Sequence, residues 1–241
     1  MNAPDFFVLL PPSEGKAEGG QARTKWTPDS GVFGNSLGDY RAMVANRLSA
    51  VKGGDAKLLG VKGAHLIRAQ EANQSLMGSP TLPAWQRYTG VVWDHLDLAS
   101  FGAPQRTAIL QRIFVPSGLM GIVRADDPVP DYRLKMGARL TPFGLMSTWW
   151  RDDLTEALVL AAKKKVVVDV LPQEHRSAIS FSELPQHVQV DLVSKKGSVV
   201  GGHNAKAAKG LLVRHLFTSG QSLERSVASF DHPEYTATIS K

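Results

Sequence analysis

Lysine and arginine set around paired glycines are the residues of this chain with the clearest chemistry. Gly60-Val61-Lys62-Gly63 lies inside the run from Lys57 to Ala69, and His65 and Arg68 follow within two helical turns. Both glycines accept positive φ without steric cost, and a turn lacking Cβ atoms lets backbone N–H groups approach an anion. A helix opening at Gly63 aims its first free amides the same way, while Lys62 and Arg68 supply charge. Such a grip holds a phosphate backbone and reads no base edge. Leu58, Leu59, Val61, Leu66, Ile67 and Ala69 are spaced for two helices folded on one another. The same spacing also builds an ordinary αα-turn, so the rest of the chain has to decide.

Three further groups carry polar chemistry. Ser13-Glu14-Gly15-Lys16 follows the apolar run Phe6 to Leu10. It lacks the Gly-x-x-x-x-Gly-Lys-Ser/Thr spacing of a P-loop. A Ser/Glu/Lys loop at a strand end can still hold a phosphate or form a small active site; the competing account is a solvated turn. Arg124, Arg133 and Arg139 cluster in Gly121 to Arg124 and Tyr132 to Leu140. Arginine suits bidentate phosphate contact, and Tyr132 offers a stacking face. Ion pairing with Asp126, Asp127 or Asp131 is the alternative. Lys206, Lys209 and Arg214 fall on one side of a helical stretch, opposite Ala205, Ala208, Leu212 and Leu216. No acidic residue occurs from Gly201 to Gly220 to pair with them. The seven histidines are scattered without metal-ligand spacing, so neither a metal nor a cofactor is expected. No Gly-x-Ser-x-Gly elbow occurs.

These residues need a frame. The chain has 241 residues, 28 basic against 22 acidic, a net charge of +6 and no cysteine. Disulfides, thiolate chemistry and Cys-ligated metals are excluded; the charge balance favours polyanionic partners moderately. No signal peptide or membrane span is read at the start or along the chain, which gives the expectation of a cytoplasmic protein. Phe6 to Leu10 reads as a buried strand, Glu18 to Asn35 as loop, and Gly38 to Val51 as helix. The hairpin pair runs to about Asn73. Ile113 to Val115 and Leu119 to Val123 read as strands. Thr141 as N-cap, with Pro142 at the first position, opens a helix to Ala162. Val166 to Val170 is a strand. Val188 to Val193 and Ser198 to Val200 form a hairpin around Lys195-Lys196-Gly197. Asn204 caps a helix to Phe217, Gly220 and Ser222 open a short helix, and Tyr235 to Ile239 alternates like a strand. The five tryptophans fit core positions. The fold class is α/β or mixed α+β: one compact domain over 1–241, a mixed β-sheet flanked by helices, and a helix-hairpin-helix subdomain at about 50–75.

With these blocks in this order, the chain resembles the peroxide stress protein YaaA family over nearly its whole length. The carriers are Leu10 to Lys16, Tyr88-Thr89-Gly90, Ser117 to Arg124, Tyr132-Arg133-Leu134-Lys135-Met136-Gly137-Ala138-Arg139-Leu140 and Ala205 to Gly210. The first loop reads Pro-Pro-Ser-Glu-Gly-Lys where the better-studied branch has Ser-Pro-Ala-Lys, which makes Lys16 the equivalent lysine. Asn204 and Ala207 stand where that branch has tyrosine and lysine. The resemblance implies a cytoplasmic protein of the hydrogen peroxide response that limits iron-dependent oxidative damage. It also implies DNA binding through a helix-hairpin-helix and a positively charged cleft. Matched onto this chain, the DNA-contacting set is Gly60, Val61, Lys62, Gly63, His65 and Arg68, with Lys16, Arg124, Arg133, Arg139, Lys206 and Lys209 lining the cleft.

The first expectation is therefore a monomer that grips double-stranded or distorted DNA largely without sequence preference. The second is an enzyme acting on a small phosphorylated or nucleotide-like substrate in the same cleft, with Ser13, Glu14, Lys16 and Arg133 as its catalytic candidates. Fixed Ser, Tyr and Met-Gly positions motivate it, because backbone-only binding does not require them. An iron-handling protein is a third reading; the absence of cysteine and of clustered ligands argues against it.

Overall fold

A computed structural model describes residues 6–195, 197 and 201–240. Its centre is a six-stranded mixed sheet. In chain order these strands are β1 (Phe6–Leu9), β4 (Ile113–Ser117), β5 (Gly121–Arg124), β9 (Val166–Asp169), β10 (His187–Ser194) and β11 (Tyr235–Ser240). Across the sheet they stand β11-β10-β9-β1-β4-β5. The inner four are parallel: Val8 faces Ile113 on one side and Val168 on the other, and Val167 faces His187. The edge strands β5 and β11 are antiparallel. Phe6, Val8 and Leu9 on β1, and all five residues of β4, are buried. Strands covered on both faces read as continuous apolar runs rather than alternating ones.

The chain leaves β1, fills the β4 side, and only later returns to lay β9 and β10 on the other side. This reversal opens a crevice at the carboxyl ends of β1 and β9, the place where such sheets bind ligands.

Between β1 and β4 run β2 (Gln21–Lys25), α1 (Gly34–Ala50), α2 (Ala56–Leu59), α3 (Gly63–Gln74), β3 (Pro80–Pro83), α4 (Ala84–Arg87), α5 (Val91–Leu96) and α6 (Ala103–Leu110). After β5 come β6 (Pro128–Pro130), β7 (Arg139–Leu140), β8 (Gly144–Leu145), α7 (Met146–Trp149) and α8 (Arg151–Ala162). The short α9 (Gln173–Arg176), then α10 (Gly202–Thr218) and α11 (Leu223–Ala228), complete the described α-helices and strands. Helix α10 packs along α5 at Gly210, where a Cβ would stand 2.3 Å from the Val92 carbonyl oxygen. Phe6 meets Phe217 of α10. Trp150 is fully buried and donates its indole N–H to the Gly118 carbonyl at 2.9 Å. Arg41 on α1, also fully buried, donates to four carbonyls, those of Pro28, Ser30, Met120 and Ile122. The two helices expected around Gly60 to Gly63 are α2 and α3, and Leu59 and Ala69 are buried between elements while Ile67 is 58% exposed.

Three expectations are corrected. The loop read from Glu18 to Asn35 contains β2, which pairs with β3, and β3 pairs with β6. All five β2 residues are exposed, so backbone pairing alone makes the strand and no apolar pattern announces it. Thr141 does not cap a helix: β7 and β8 pair, Pro142 lies in the turn between them, and helix starts only at Met146. The turn is held because Met146 and Ser147 donate their N–H groups to the carbonyls of Ala138 and Met136. Gly201, not Asn204, precedes the first residue of α10; Asn204 lies within the helix and donates to Glu234. Ser198 to Val200 lie outside the described residues, and the antiparallel partner of β10 is β11.

Candidate functional site

The site is built from the loop that follows β1. Pro11 and Pro12 cannot continue the sheet ladder, and the chain turns across the sheet end. Ser13 donates to the Thr89 carbonyl, Thr89 donates back to Gly15, and Ala17 donates to Arg87. The Tyr88-Thr89-Gly90 block is thereby a second strip laid along Ser13 to Ala17. A Cβ on Gly90 would stand 2.6 Å from the Ser13 hydroxyl, which explains the glycine there.

Beneath this strip lie two buried phenols. Tyr88 and Tyr132 share a hydrogen bond at 3.0 Å, and Tyr132 meets the Ser117 hydroxyl at 2.8 Å. Burial pushes both phenols above their ordinary pKa, so they stay neutral. The Lys16 ammonium rests on the Tyr132 ring, 4.2 Å from its centroid, and donates to the Ser13 carbonyl at 3.2 Å. Among the described residues it forms no ion pair. Burial is the main cause that lowers its pKa to about 7; Arg133 and Arg87 push the same way, against Asp131 and Glu14. Lys16 as a residue is half-buried.

Around Lys16 the cations are paired. Glu14 accepts from Arg133 at 2.9 Å and Lys135 at 2.8 Å. Burial pushes the Glu14 carboxyl up, but the two cations outweigh it and hold it below the ordinary carboxylate range. Arg133 also donates to the Leu59 carbonyl at the end of α2. Buried Asn73 of α3 accepts from the Arg133 N–H and donates to the carbonyls of Arg133 and Gly53. Arg68 on α3 meets Asp131 and Glu18, each at 2.9 Å, and the Lys16 carbonyl. Helix α3 is therefore clamped against the loop after β1. Between them opens a cavity of about 300 Å³ lined by Lys16, His65, Arg68, Asp131, Tyr132 and Arg133.

The turn between α2 and α3 stands at the rim. Gly60 (φ +64°) and Gly63 (φ +57°) are both in the left-handed region. Lys62 precedes α3 with no side-chain cap, and nothing stands within 4 Å of a Cβ built on Gly63. A Cβ on Gly60 would be 3.6 Å from the Lys135 ammonium. The turn thus leaves free amides and open space, with two lysines beside it.

A larger hollow of about 900 Å³ lies on the other side of the Ser13-Glu14 loop, lined by Glu174, His175, Asp191, Lys206 and Lys209 among others. Lys209 donates to the Val170 carbonyl, and burial lowers its pKa against the pull of Asp169 and Asp191. Burial also lowers the His175 pKa, and its Nδ1 has no hydrogen-bond partner in the described structure. His175 and Lys16 together line a narrow recess below Ser13. Glu174 accepts from the Gly137 N–H, and a Cβ on Gly137 would press against it at 3.0 Å. The Met-Gly positions therefore serve packing.

Ser13, Glu14, Lys16 and Arg133 converge as the sequence suggested, and His65 and Arg68 join them. Lys206 and Lys209 line the larger hollow instead. Arg124 forms a two-pronged pair with Asp126 and lines neither cavity. Arg139 is exposed on β7 and lines neither. Arg214 ties α10 to the carbonyls of Leu96 and Asp97. Tyr132 is 3% exposed beneath Lys16, so its ring is not an open stacking face. Sequence reasoning passed over Asn73, and weighed Asp131 only as an ion-pair partner of the arginines and His175 only among the scattered histidines. The proximity of Asp131 to Tyr132-Arg133 was a usable signal, whereas nothing near Asn73 or His175 marks a role. Among the described residues no group of three His, Asp or Glu side chains is arranged to hold a metal ion.

Fold and site together define a mixed α/β protein with a loop-built cleft at the carboxyl ends of β1 and β9, walled by the helix that follows a Gly-x-x-Gly turn. The chain belongs to the peroxide stress protein YaaA family, whose pattern matches residues 6–240. It is 33% identical over 226 residues to a UPF0246 protein of Streptomyces coelicolor, covering 91% of this chain and 85% of that one. A UPF0246 protein of Corynebacterium glutamicum is 33% identical over 220 residues, with 89% and 86% covered. One of Corynebacterium efficiens is 33% identical over 225 residues. No described helix is long and apolar enough to cross a membrane.

Proposed function

We propose that this protein acts in the peroxide response as a DNA-binding protein, seating a phosphate backbone on the helix-hairpin-helix turn and an adjoining nucleotide at the cleft. One observation carries the reading: α3 starts at the open glycine turn, and its next residues, His65 and Arg68, wall the cavity that holds Lys16. From Gly63 to Arg68 the helix rises about 7.5 Å, so turn and cavity meet neighbouring parts of one strand. The contacts on offer are amides and cations, which tolerate any sequence. Because the cleft is a narrow concavity, duplex DNA that is bent, bubbled or partly unpaired fits it better than straight duplex.

A salt titration of binding to duplex, single-stranded and bubble DNA tests this. The log–log slope is expected to be roughly −0.9 per phosphate neutralised on duplex. Lys62→Glu, which alters the turn and leaves the Arg68–Asp131 clamp intact, weakens binding to all sequences alike. Unchanged affinity in that variant removes the hairpin from the account.

The convergence of Ser13, Glu14, Lys16 and Arg133 also favours a second reading, an enzyme for a small phosphorylated or nucleotide-like substrate. A nucleotide or sugar phosphate that raises the melting temperature without DNA present supports it; indifference to a broad panel removes it.

A further inference from the structure

Lys16 is poorly made for holding a phosphate. A lysine that only supplies charge keeps its ammonium in water, beside the anion. This one rests on the Tyr132 ring, hydrogen-bonds only the Ser13 carbonyl, and has no carboxylate partner among the described residues. Its neighbours Arg68, Arg133 and Lys135 all have such partners. With its ammonium packed on that ring and crowded by Arg133 and Arg87, Lys16 is partly in the amine form near neutral pH, and a neutral amine is a nucleophile for carbonyl carbon. It opens on a cavity of about 300 Å³, at the small end of ligand sites. Both tyrosines that could stack a base are buried below it. The chamber has room for a sugar, and neither tyrosine is open to stack a base.

We propose that Lys16 is the nucleophile of a lyase acting at base-free deoxyribose in DNA. This rests on the DNA-binding reading above. An intact nucleoside has no free aldehyde, because C1′ is tied to the base and the ring oxygen; once the base is lost, the sugar opens to an aldehyde. The neutral Lys16 amine adds to C1′, one of its protons and one from solvent pass to the former carbonyl oxygen, and that oxygen leaves as water to give the iminium. His65, which lines the same cavity as Lys16, accepts a proton from C2′. The electron pair of that C–H bond forms the C2′–C3′ double bond as the C3′–oxygen bond breaks. The downstream strand departs with its 5′-phosphate. Water then hydrolyses the iminium, freeing Lys16 and an unsaturated aldehyde on the upstream strand. No oxidant or reductant is consumed. Oxidative conditions produce base-free sugars, which fits a peroxide-stress family.

The test uses the full-length protein and a duplex carrying one abasic site, made by excising a single uracil. Binding is measured in parallel on a duplex with the tetrahydrofuran analogue, which has no aldehyde. Sodium cyanoborohydride should trap a covalent protein–DNA adduct on the natural site only, mass spectrometry should place it on Lys16, and the strand should be incised. Lys16→Arg, which keeps charge and length, and Lys16→Met should each lower trapping to about one-hundredth or less, as for loss of a nucleophile. His65→Asn should keep the adduct and slow incision about tenfold or more; equal incision removes His65 from its role. Tight binding to the analogue with no trapped adduct overturns the lyase and leaves DNA binding standing. An adduct that survives both Lys16 variants or maps elsewhere does the same. Failure to bind any DNA overturns both. Trapping by the native protein does not depend on either variant folding.

Discussion

Replacing Lys16 by methionine should make the protein more stable in mild acid, and the gain should vanish as pH rises. A drop in pKa from 10.5 to about 7 corresponds to on the order of 5 kcal/mol held against the folded cation. The unfolded lysine keeps its proton up to about pH 10, while the folded one gives it up near 7. Between those values the unfolded state binds more protons, so native stability rises with pH across that window, and below about 7 the full cost is present. Methionine removes that cost. It also removes the bond to the Ser13 carbonyl and the contact with the Tyr132 ring, together about 2–3 kcal/mol. The net gain at pH 6 is then about 2–3 kcal/mol, roughly 5–10 °C in Tm for a chain of this length. At pH 9 the deprotonation has relieved most of the native cost, and the two proteins should melt together or in reverse order. Thermal and urea unfolding of both proteins at pH 6, 7.5 and 9 read this directly, since other titrations are shared. A gap that stays constant over that range, or a methionine variant less stable at pH 6, would refute the account of Lys16 as a desolvated amine.

Glu14→Gln releases Arg133 and Lys135 from their carboxylate. DNA affinity should rise and the salt slope steepen by up to about 1.8; an unchanged slope shows that these cations do not meet phosphate. Arg41→Met strands four carbonyls, buried at Met120 and Ile122 and half-buried at Pro28 and Ser30, and should lower urea stability by about 3–5 kcal/mol. A loss under about 1 kcal/mol would mean water or a shift of α1 satisfies them. Gly210→Ala improves helix propensity by about 1 kcal/mol yet drives a methyl into the Val92 carbonyl. The net result should be a loss of about 1–3 kcal/mol by calorimetry, and a stabilised variant would show that α5 gives way freely.

The elements legible in the chain are those whose burial writes a pattern. β1 and β9 are covered on both faces and appear as unbroken apolar runs, and β11 alternates. β2 has five exposed residues and exists only because β3 offers it a ladder, so no local pattern marks it. Thr141-Pro142 has the residue types of a helix start, and the pairing of β7 with β8 overrides them. The site divides the same way. Residue types nominated Glu14, Lys16, Arg68 and Arg133, because charged groups beside a strand end or a glycine turn suit phosphate chemistry. Their partnerships were hidden, since Glu14 meets Arg133 across 119 positions and Arg68 meets Asp131 across 63. That concealment matters for function. A net charge of +6 suggests a cleft lined by free cations, yet Arg68, Arg124, Arg133 and Lys135 each already hold a carboxylate. A polyanion entering here gains attraction by displacing Glu14, Glu18 or Asp131, or by meeting Lys16 within the cavity or Lys62 at the rim. Charge attraction at the cleft is therefore weaker than the composition implies, and discrimination must come from what the cavity excludes and what Lys16 can react with.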